Sequence, residues 1–301
     1  MSVNSSARGL EWPTLSLILI TSLAWICVTA FAGTIGLWLA VPALAAILTL
    51  HSSLQHEVLH GHPLPSRRLS EALVWPPLGL AVPYQRFREL HLAHHRDASL
   101  TDPYDDPETN YLDPAVWARL PALARGALSF NNTLLGRMLV GPAIGMAAFL
   151  HDDLRAIRAG DAAIARVWAL HGLGVAATLL WLVLAGTMPL WAYLLGAYLA
   201  MSILKIRTFL EHQAHERARG RSVIIEDRGP LAFLFLNNNY HAVHHAYPRV
   251  PWYRLPALYR SRRDEFLRRN LGYAYASYGE VFRRYVLRRK DPVAHPFWTA
   301  E

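Results

Sequence analysis

Four long runs of apolar residues alternate with polar segments along this chain. They cover Pro13–Phe31, Leu37–Leu54, Val167–Ala185 and Met188–Leu204. Each run approaches the ~20 residues that an α-helix needs to cross a bilayer. Only a short uncharged break separates the two runs of each pair. The pattern therefore predicts four transmembrane helices arranged as two hairpins.

The boundaries of these runs define an expected domain organisation. We place the spans at about residues 13–31, 37–55, 165–185 and 188–210, and the segments 56–163 and 211–301 outside the bilayer. The apolar stretches 72–82 and 134–150 are short, and we expect both to lie in the membrane interface. The prediction is one domain over residues 1–301: an all-α integral-membrane bundle with interfacial helices and a cap.

Composition supports this fold class and narrows the chemistry. Hydrophobic residues make up 53% of the chain and charged residues 17%, against about 25% charged in an ordinary soluble domain. The single cysteine, Cys27, lies in an apolar run, which excludes an intramolecular disulfide and a cysteine-based metal site. The net charge of +8 comes mainly from arginine. It fits anionic lipid headgroups or an acidic protein partner, and the chain has no nucleic-acid-binding motif.

Charge also predicts the orientation in the membrane. Both hairpin tips are uncharged, whereas the segments between and after the hairpins are basic. Positive residues accumulate on the cytoplasmic side of membrane proteins. We therefore expect the polar segments on the cytoplasmic face, and a bacterial inner membrane as the location. If 134–150 does not cross the bilayer, an even number of spans separates the histidine clusters, and all of them then lie on the same face.

Histidines cluster where the apolar runs end. His56 and His60 have the i, i+4 spacing that puts two side chains on one helix face. The pattern HxxHH then occurs twice, at His91-Leu92-Ala93-His94-His95 and at His241-Ala242-Val243-His244-His245. The stretch Glu211-His212-Gln213-Ala214-His215 adds a further pair. The recurrence of this spacing predicts a shared metal site, whereas we interpret the isolated histidines His51, His151, His171 and His295 as structural.

The number of imidazoles bears on the number of metal ions. Eight nitrogens come from the three main boxes, and one ion such as zinc takes about four ligands, so two metals are indicated. Imidazole suits zinc, copper, iron or nickel. Residues 56–60 also match HExxH, the motif of zinc metalloproteases with Glu57 as general base. A membrane metalloprotease therefore remains as an alternative, although it leaves the paired HxxHH boxes unexplained. A metal transporter is a further alternative, although transporters bind their cargo near mid-bilayer and these clusters lie at the ends of the spans.

Together the histidine boxes resemble the membrane fatty-acid desaturase and hydroxylase superfamily, which includes carotenoid ketolases and hydroxylases. The sequence Tyr247-Pro248-Arg249-Val250-Pro251-Trp252 after the last box is also similar to a pattern common there. The resemblance implies a bundle of four spans with a cytoplasmic cap and two iron ions bound by histidine. Dioxygen would be the cosubstrate, and an external donor such as a ferredoxin-like protein would supply electrons.

The resemblance also implies a set of ligands. The positions that match are His56, His60, His91, His94, His95, His212, His241, His244 and His245. His215 is the alternative to His212. Residues that could add a ligand or hold a ligand through its other ring nitrogen are Glu211, Asn238, Asn239, His62, Glu57, Asp97 and Asp102. Beyond the metal ligands, no catalytic residue is assigned.

The implied reaction is oxidation of an unactivated C–H bond in a lipid chain. We expect a fatty-acyl desaturase, with a fatty-acyl hydroxylase or a carotenoid ketolase or hydroxylase as the alternative within the superfamily. An apolar substrate would reach the site from the membrane.

Overall fold

A computed structural model describes residues 9–95 and 100–298 of the 301-residue chain. The predicted all-α fold class is confirmed, since regular structure in the described residues is almost entirely helical. The helices, in chain order, are α1 Trp12–Ala30, α2 Ala32–Ile35, α3 Leu37–Leu59, α4 Arg67–Val74, α5 Tyr84–His94, α6 Pro114–Arg119, α7 Ala122–Asn131, α8 Leu134–Leu139, α9 Gly141–Arg158, α10 Ala162–Leu184, α11 Leu190–Thr208, α12 Pro230–Leu234, α13 His241–Ala246, α14 Leu255–Ser261, α15 Arg263–Arg269 and α16 Tyr278–Tyr285. A 3₁₀ turn covers Ala218–Gly220, and β1 Ile224–Ile225 pairs in parallel with β2 Ala274–Tyr275.

Four described helices are long and apolar enough to cross a membrane: α1, α3, α10 and α11. Large apolar side chains remain exposed on them, such as Leu23 at 60% and Val183 at 80%. Contact with lipid accounts for such exposure, because water would penalise it. The stretch 134–150 forms α8 and the first part of α9 and is not among these four helices.

The chain divides into two compact units. The first comprises the described parts of Met1–Arg88 and Gly160–Ala200, and the second those of Glu89–Ala159 and Met201–Glu301. The organisation as one domain stays a prediction.

The first unit contains the apolar helices and a core in which a few polar groups are satisfied internally. The Trp25 indole donates a hydrogen bond to the hydroxyl of Tyr193 (2.9 Å), which in turn donates to the carbonyl of Leu78 (2.6 Å). Such internal pairing is required where no water is available. The backbone N–H of Gly33 donates to Thr187 Oγ1 at 2.8 Å, so the break after α1 contacts the break after α10.

The end of α3 positions the first histidine box. His56 lies in the last turn of the helix and His60 follows as its C-cap, with its N–H bonded to the carbonyl of Glu57. Gly61 then adopts φ +105°, a left-handed conformation that ends helices and that glycine adopts without strain.

The second unit is built around two apolar clusters. One includes Phe209, Phe235 and Tyr278, and the other includes Tyr240, Tyr259 and Phe266. The N–H of Ala242 in the short α13 donates to the carbonyl of Val223, the residue before β1 (2.9 Å). These contacts fix α13, which carries the last histidine box, against the core of the unit.

Candidate metal centre

Seven histidines of the second unit form two adjoining groups. Group A is His94, His212, His241 and His245, and group B contains His91, His95 and His244. Within each group the ligand nitrogens lie within 4.8 Å of one another. The rings of His95 from group B and His245 from group A stack with centroids 4.2 Å apart.

Helix geometry explains how the two HxxHH boxes divide between these groups. Side chains four residues apart differ by about 40° around a helix, whereas the third position lies about 60° away on the other side. His91 and His95 accordingly share group B while His94 belongs to group A. In the last box the assignment is reversed, with His241 and His245 in group A and His244 in group B. Each box thus gives an i, i+4 pair to one group and its remaining imidazole to the other.

The donor atoms of group A fit a cation. The Nε2 atom of His212 lies 3.0 Å from Nε2 of both His94 and His241, and Nε2 of His245 lies 3.0 Å from that of His241. A metal about 2.0–2.1 Å from each imidazole nitrogen places neighbouring nitrogens roughly 3 Å apart. Asn238 faces Nδ1 of His241 with its carbonyl oxygen at 3.3 Å, so the lone pair of that ring is on Nε2.

Protonation in group A is consistent with metal ligation. Burial and the neighbouring imidazoles hold the pKa of His212, His241 and His245 well below its ordinary value, so these rings are neutral at pH 7. For His94, burial lowers the pKa, but the hydrogen bond to Asp106 and nearby carboxylates raise it to about 9. Metal binding displaces a proton from such a ligand. The Asp106 carboxylate would keep the hydrogen on Nδ1.

Two carboxylates that were not predicted from the sequence accept hydrogen bonds from the Nδ1 atoms of histidines. Asp106 Oδ1 accepts from Nδ1 of His94 at 2.7 Å, and Glu108 Oε1 accepts from Nδ1 of His91 at 2.7 Å. Asp106 is itself fixed by the backbone N–H groups of Thr101 and Glu108. Burial works to raise the pKa of Glu108, but the adjacent His91 holds that pKa well below its usual range. The acidic residues of 101–108 can be recognised in the sequence, but the sequence does not show which of their carboxylates face the histidines.

Glu211 and Asn238 lie behind His241. Glu211 forms an ion pair with Arg207, whose Nε lies 3.0 Å from Oε1, and accepts a hydrogen bond from Asn238 Nδ2 (3.0 Å), while its carboxylate lies 3.6 Å from Nδ1 of His241. Both side chains therefore lie beside the second nitrogen of the imidazole, the position that carboxylates commonly occupy around a metal-ligating histidine.

The remaining sequence candidates of the second unit have local contacts. His212 is a member of group A, whereas Nδ1 of His215 accepts from the backbone N–H of Arg217 at 3.0 Å. Asn239 donates to the carbonyls of Ile225 and Asp227. Asp102 accepts from the backbone of its own turn. Asp97 lies outside the described residues.

In the first unit, the rings of His56 and His60 lie with centroids 5.0 Å apart. His62 is buried, with Nδ1 2.8 Å from Glu11 and Nε2 3.8 Å from Glu57. The pairing of His62 with these two carboxylates accounts for its burial. A role of His62 or Glu57 towards a metal ligand stays a prediction.

Comparison with known proteins identifies the family of the chain. The family model described as fatty acid desaturase matches residues 8–277. The chain belongs to the fatty acid desaturase family. It is also similar to a β-carotene ketolase of Paracoccus sp. (strain N81106 / MBIC 01143), with 26% identity over 242 residues, which cover 76% of this chain and 79% of the relative.

Family membership and the apolar helices together define the general class of this protein. It is an integral-membrane oxidoreductase of the fatty acid desaturase family, with histidine clusters that could hold a metal ion. This confirms the resemblance noted from the histidine boxes.

Proposed function

We propose that this desaturase-family protein is a di-iron enzyme that oxidises an unactivated C–H bond in the hydrocarbon chain of a membrane lipid. The observation that carries the proposal is the pair of adjoining imidazole groups in the second unit. Two separate sets of nitrogen donors suit two metal ions, whereas a metalloprotease needs one zinc site. The imidazole-only donor set is compatible with iron.

The proposed ligand set assigns an ion to each group. His94, His212, His241 and His245 would bind one iron, and His91, His95 and His244 the other. We propose that His56 and His60 supply two further imidazoles to the second ion. Support for this last step is their HxxxH spacing and the family resemblance of the first box.

Fatty-acyl desaturation is the reaction that we favour. Iron ions bound at these groups would supply the activation of dioxygen that abstraction of hydrogen from an alkyl chain requires. Two hydrogens leave the chain as an alkene forms, dioxygen is reduced to two waters, and a donor supplies two electrons and the solvent two protons. The protein residues have positioning roles: Asp106 and Glu108 hold the Nδ1 hydrogens of their histidines, and Asn238 and Glu211 orient His241.

A second candidate is oxidation of a carotenoid ring carbon to a ketone. The observation that favours it is the similarity to the β-carotene ketolase, which extends over 76% of this chain. Both reactions would use the same metal centre and an apolar substrate. They differ in whether the substrate gains oxygen.

Heterologous expression with mass spectrometry of lipids tests the proposal. Acyl chains that lack two hydrogens would indicate desaturation, and a gain of one oxygen atom would indicate hydroxylation. In a host that makes β-carotene, replacement of two ring hydrogens by oxygen would support the second candidate. The purified protein should contain about two irons per chain.

The matched variants for this test are His94→Ala and His151→Ala. His94 is a buried member of group A, whereas His151 is exposed on α9. We expect His94→Ala to lose iron and product and His151→Ala to keep both. Zinc at one ion per chain, or an iron-replete and active His94→Ala variant, would contradict the proposal.

A further inference from the structure

An open cavity of about 230 Å³ in the second unit reaches a histidine of group A. Its lining includes His245 together with Ala242 and Ala246 of the same helix, and Phe266 on α15. The small alanine side chains leave space in front of the imidazole. His245 is half-buried, whereas His94 and His241 are fully buried. This cavity therefore brings solvent close to a predicted metal ligand.

Positive charge surrounds the cavity. Arg219 and Arg269 line it, and both are exposed. Their near neighbours in sequence Arg217 and Arg268 are exposed as well, and the exposed carboxylates of these two segments are Glu216 and Asp264. The ion pairs at the start of α15 use other arginines: Arg262 pairs with Glu265 at 2.6 Å and Arg263 with Glu226 at 2.6 Å. The charge around the cavity is thus available for a partner of opposite sign.

The proposed reaction requires electrons that an external donor must deliver. Desaturation consumes two electrons per turnover, and a chain with a single cysteine cannot ligate an iron–sulfur cluster of its own. The electrons must therefore come from an external carrier that approaches the metals closely, and a one-electron carrier would do so twice per turnover. Such redox encounters use small interfaces and are guided by complementary charge.

We propose that the cavity at His245 is the docking site for an acidic one-electron carrier protein of the iron–sulfur class, and that electrons enter group A there. The lining combines alanines and Phe266 with two arginines and the polar Ser222 and Asn270, a composition that suits a small transient interface. The inference rests on the proposed function, since it concerns the electron supply of the same centre.

Charge reversal tests the docking site. The variant Arg219→Glu/Arg269→Glu reverses the charge at the cavity, and Arg288→Glu/Arg289→Glu makes the same change in net charge at exposed positions that do not line it. The probe is an acidic [2Fe–2S] ferredoxin immobilised for surface plasmon resonance with the iron-loaded enzyme in detergent. We expect the cavity variant to bind about tenfold more weakly or worse, and the control variant to bind within about twofold of the unmodified protein.

Two further readouts separate docking from damage to the metal site. Iron content should be unchanged in the cavity variant, and product formed in a single turnover after reduction with dithionite should equal that of the unmodified protein. Turnover with reduced ferredoxin should fall about tenfold. Equal ferredoxin binding by both variants, or no salt-dependent binding by the unmodified protein, would overturn the docking proposal.

Vesicles that contain phosphatidylglycerol distinguish lipid binding from ferredoxin docking. If the cavity variant binds these vesicles more weakly but binds ferredoxin as well as the unmodified protein does, the arginines bind lipid headgroups and the docking proposal is wrong. Failure of the proposed function would give a different result, namely an unmodified protein without iron or without product after dithionite reduction.

Discussion

The histidines of groups A and B differ in the side chains that contact Nδ1 of their rings. Carboxylates hold His94 and His91 at 2.7 Å, while an amide oxygen faces His241 at 3.3 Å and a serine hydroxyl lies 3.2 Å from Nδ1 of His212. A carboxylate behind an imidazole fixes the tautomer and raises the basicity of the ligating nitrogen. Individual residues in these positions should therefore contribute unequally to metal affinity.

Asp106→Asn should weaken metal binding about 10–100-fold, because the carboxylate that holds Nδ1 of His94 would be lost. Iron content after dialysis against a graded series of chelator concentrations measures this. Asp105→Asn is the matched control, since Asp105 is adjacent and exposed whereas Asp106 is buried. Equal iron retention by the two variants would show that the hydrogen bond to Asp106 does not support the metal.

His212→Ala should remove about half of the iron, because one of the two proposed iron sites would lose a ligand. His215→Ala should leave the iron content unchanged, since Nδ1 of His215 is bonded within its own loop. Elemental analysis of both purified variants decides between these two histidines. The opposite result would assign the ligand to His215 and disagree with the geometry of group A.

At the scale of elements, the α10 helix shows what hydropathy alone does not reveal. Apolar residues occur on all sides of this helix, so the sequence pattern predicts a span but not the face that packs. In the structure only 22% of its most apolar stretch is buried. A Cβ at Gly174 would lie 2.8 Å from Pro77 Cδ and 3.1 Å from the Trp75 ring. At Gly172, two residues earlier, nothing lies within 4 Å.

Gly174→Ala should therefore destabilise the protein by about 1–3 kcal/mol through overpacking against Pro77 and Trp75. Gly172→Ala should be neutral or stabilise the protein by up to about 1 kcal/mol, since alanine favours helix more than glycine does. Thermal unfolding of both variants in the same detergent provides the comparison. Equal midpoints for the two variants would mean that α10 does not pack against these residues through Gly174.

The segment 286–298 follows α16 and contacts the loop that carries Asp106 and Glu108; we call this segment the strap. The N–H of Leu112 donates to the carbonyl of Val293 (2.9 Å), and Thr101 Oγ1 lies 3.2 Å from His295 Nε2. The hydroxyl of Tyr111 donates to the carboxylate of Asp291. His295, which belongs to no histidine box, thus contacts Thr101 through this segment.

Asp291→Ala should loosen this strap, because Tyr111 and Asn132 would lose an acceptor. We expect a loss of about 1–3 kcal/mol in stability and weaker iron retention, since the loop that holds Asp106 would be less fixed. Asp264→Ala, at a carboxylate whose side chain is 81% exposed, should change neither property. A loss of stability without any loss of iron would limit the strap to a role in folding.

At the scale of the whole molecule, sequence reasoning was most effective where one property repeats along the chain. Uniform apolar runs predicted the four membrane-spanning candidates, and repeated spacing predicted the histidine boxes. It was least effective where distant segments meet. The turn that places Asp106 and Glu108 behind two histidines depends on the backbone of residues 101–108 and on the strap that holds it. No local pattern encodes these contacts.

Orientation in the membrane is the remaining property that charge predicts. The contact between Gly33 and Thr187 joins the two uncharged breaks, whereas arginines such as Arg260 and Arg288 are exposed in the second unit. Positive residues resist translocation, so we expect the breaks outside the cytoplasm and the arginines within it.

Single cysteines in a Cys27→Ala background test this orientation. Thr34→Cys lies at the first break and Arg288→Cys in the basic segment after α16, and both positions are exposed. A membrane-impermeant maleimide added to intact bacterial spheroplasts should label Thr34→Cys and spare Arg288→Cys, and both should react after lysis. Labelling of Arg288→Cys in intact cells would put the arginines outside. A cytoplasmic electron carrier could not then reach the cavity at His245, so this result would contradict the orientation and the proposed route of electrons together.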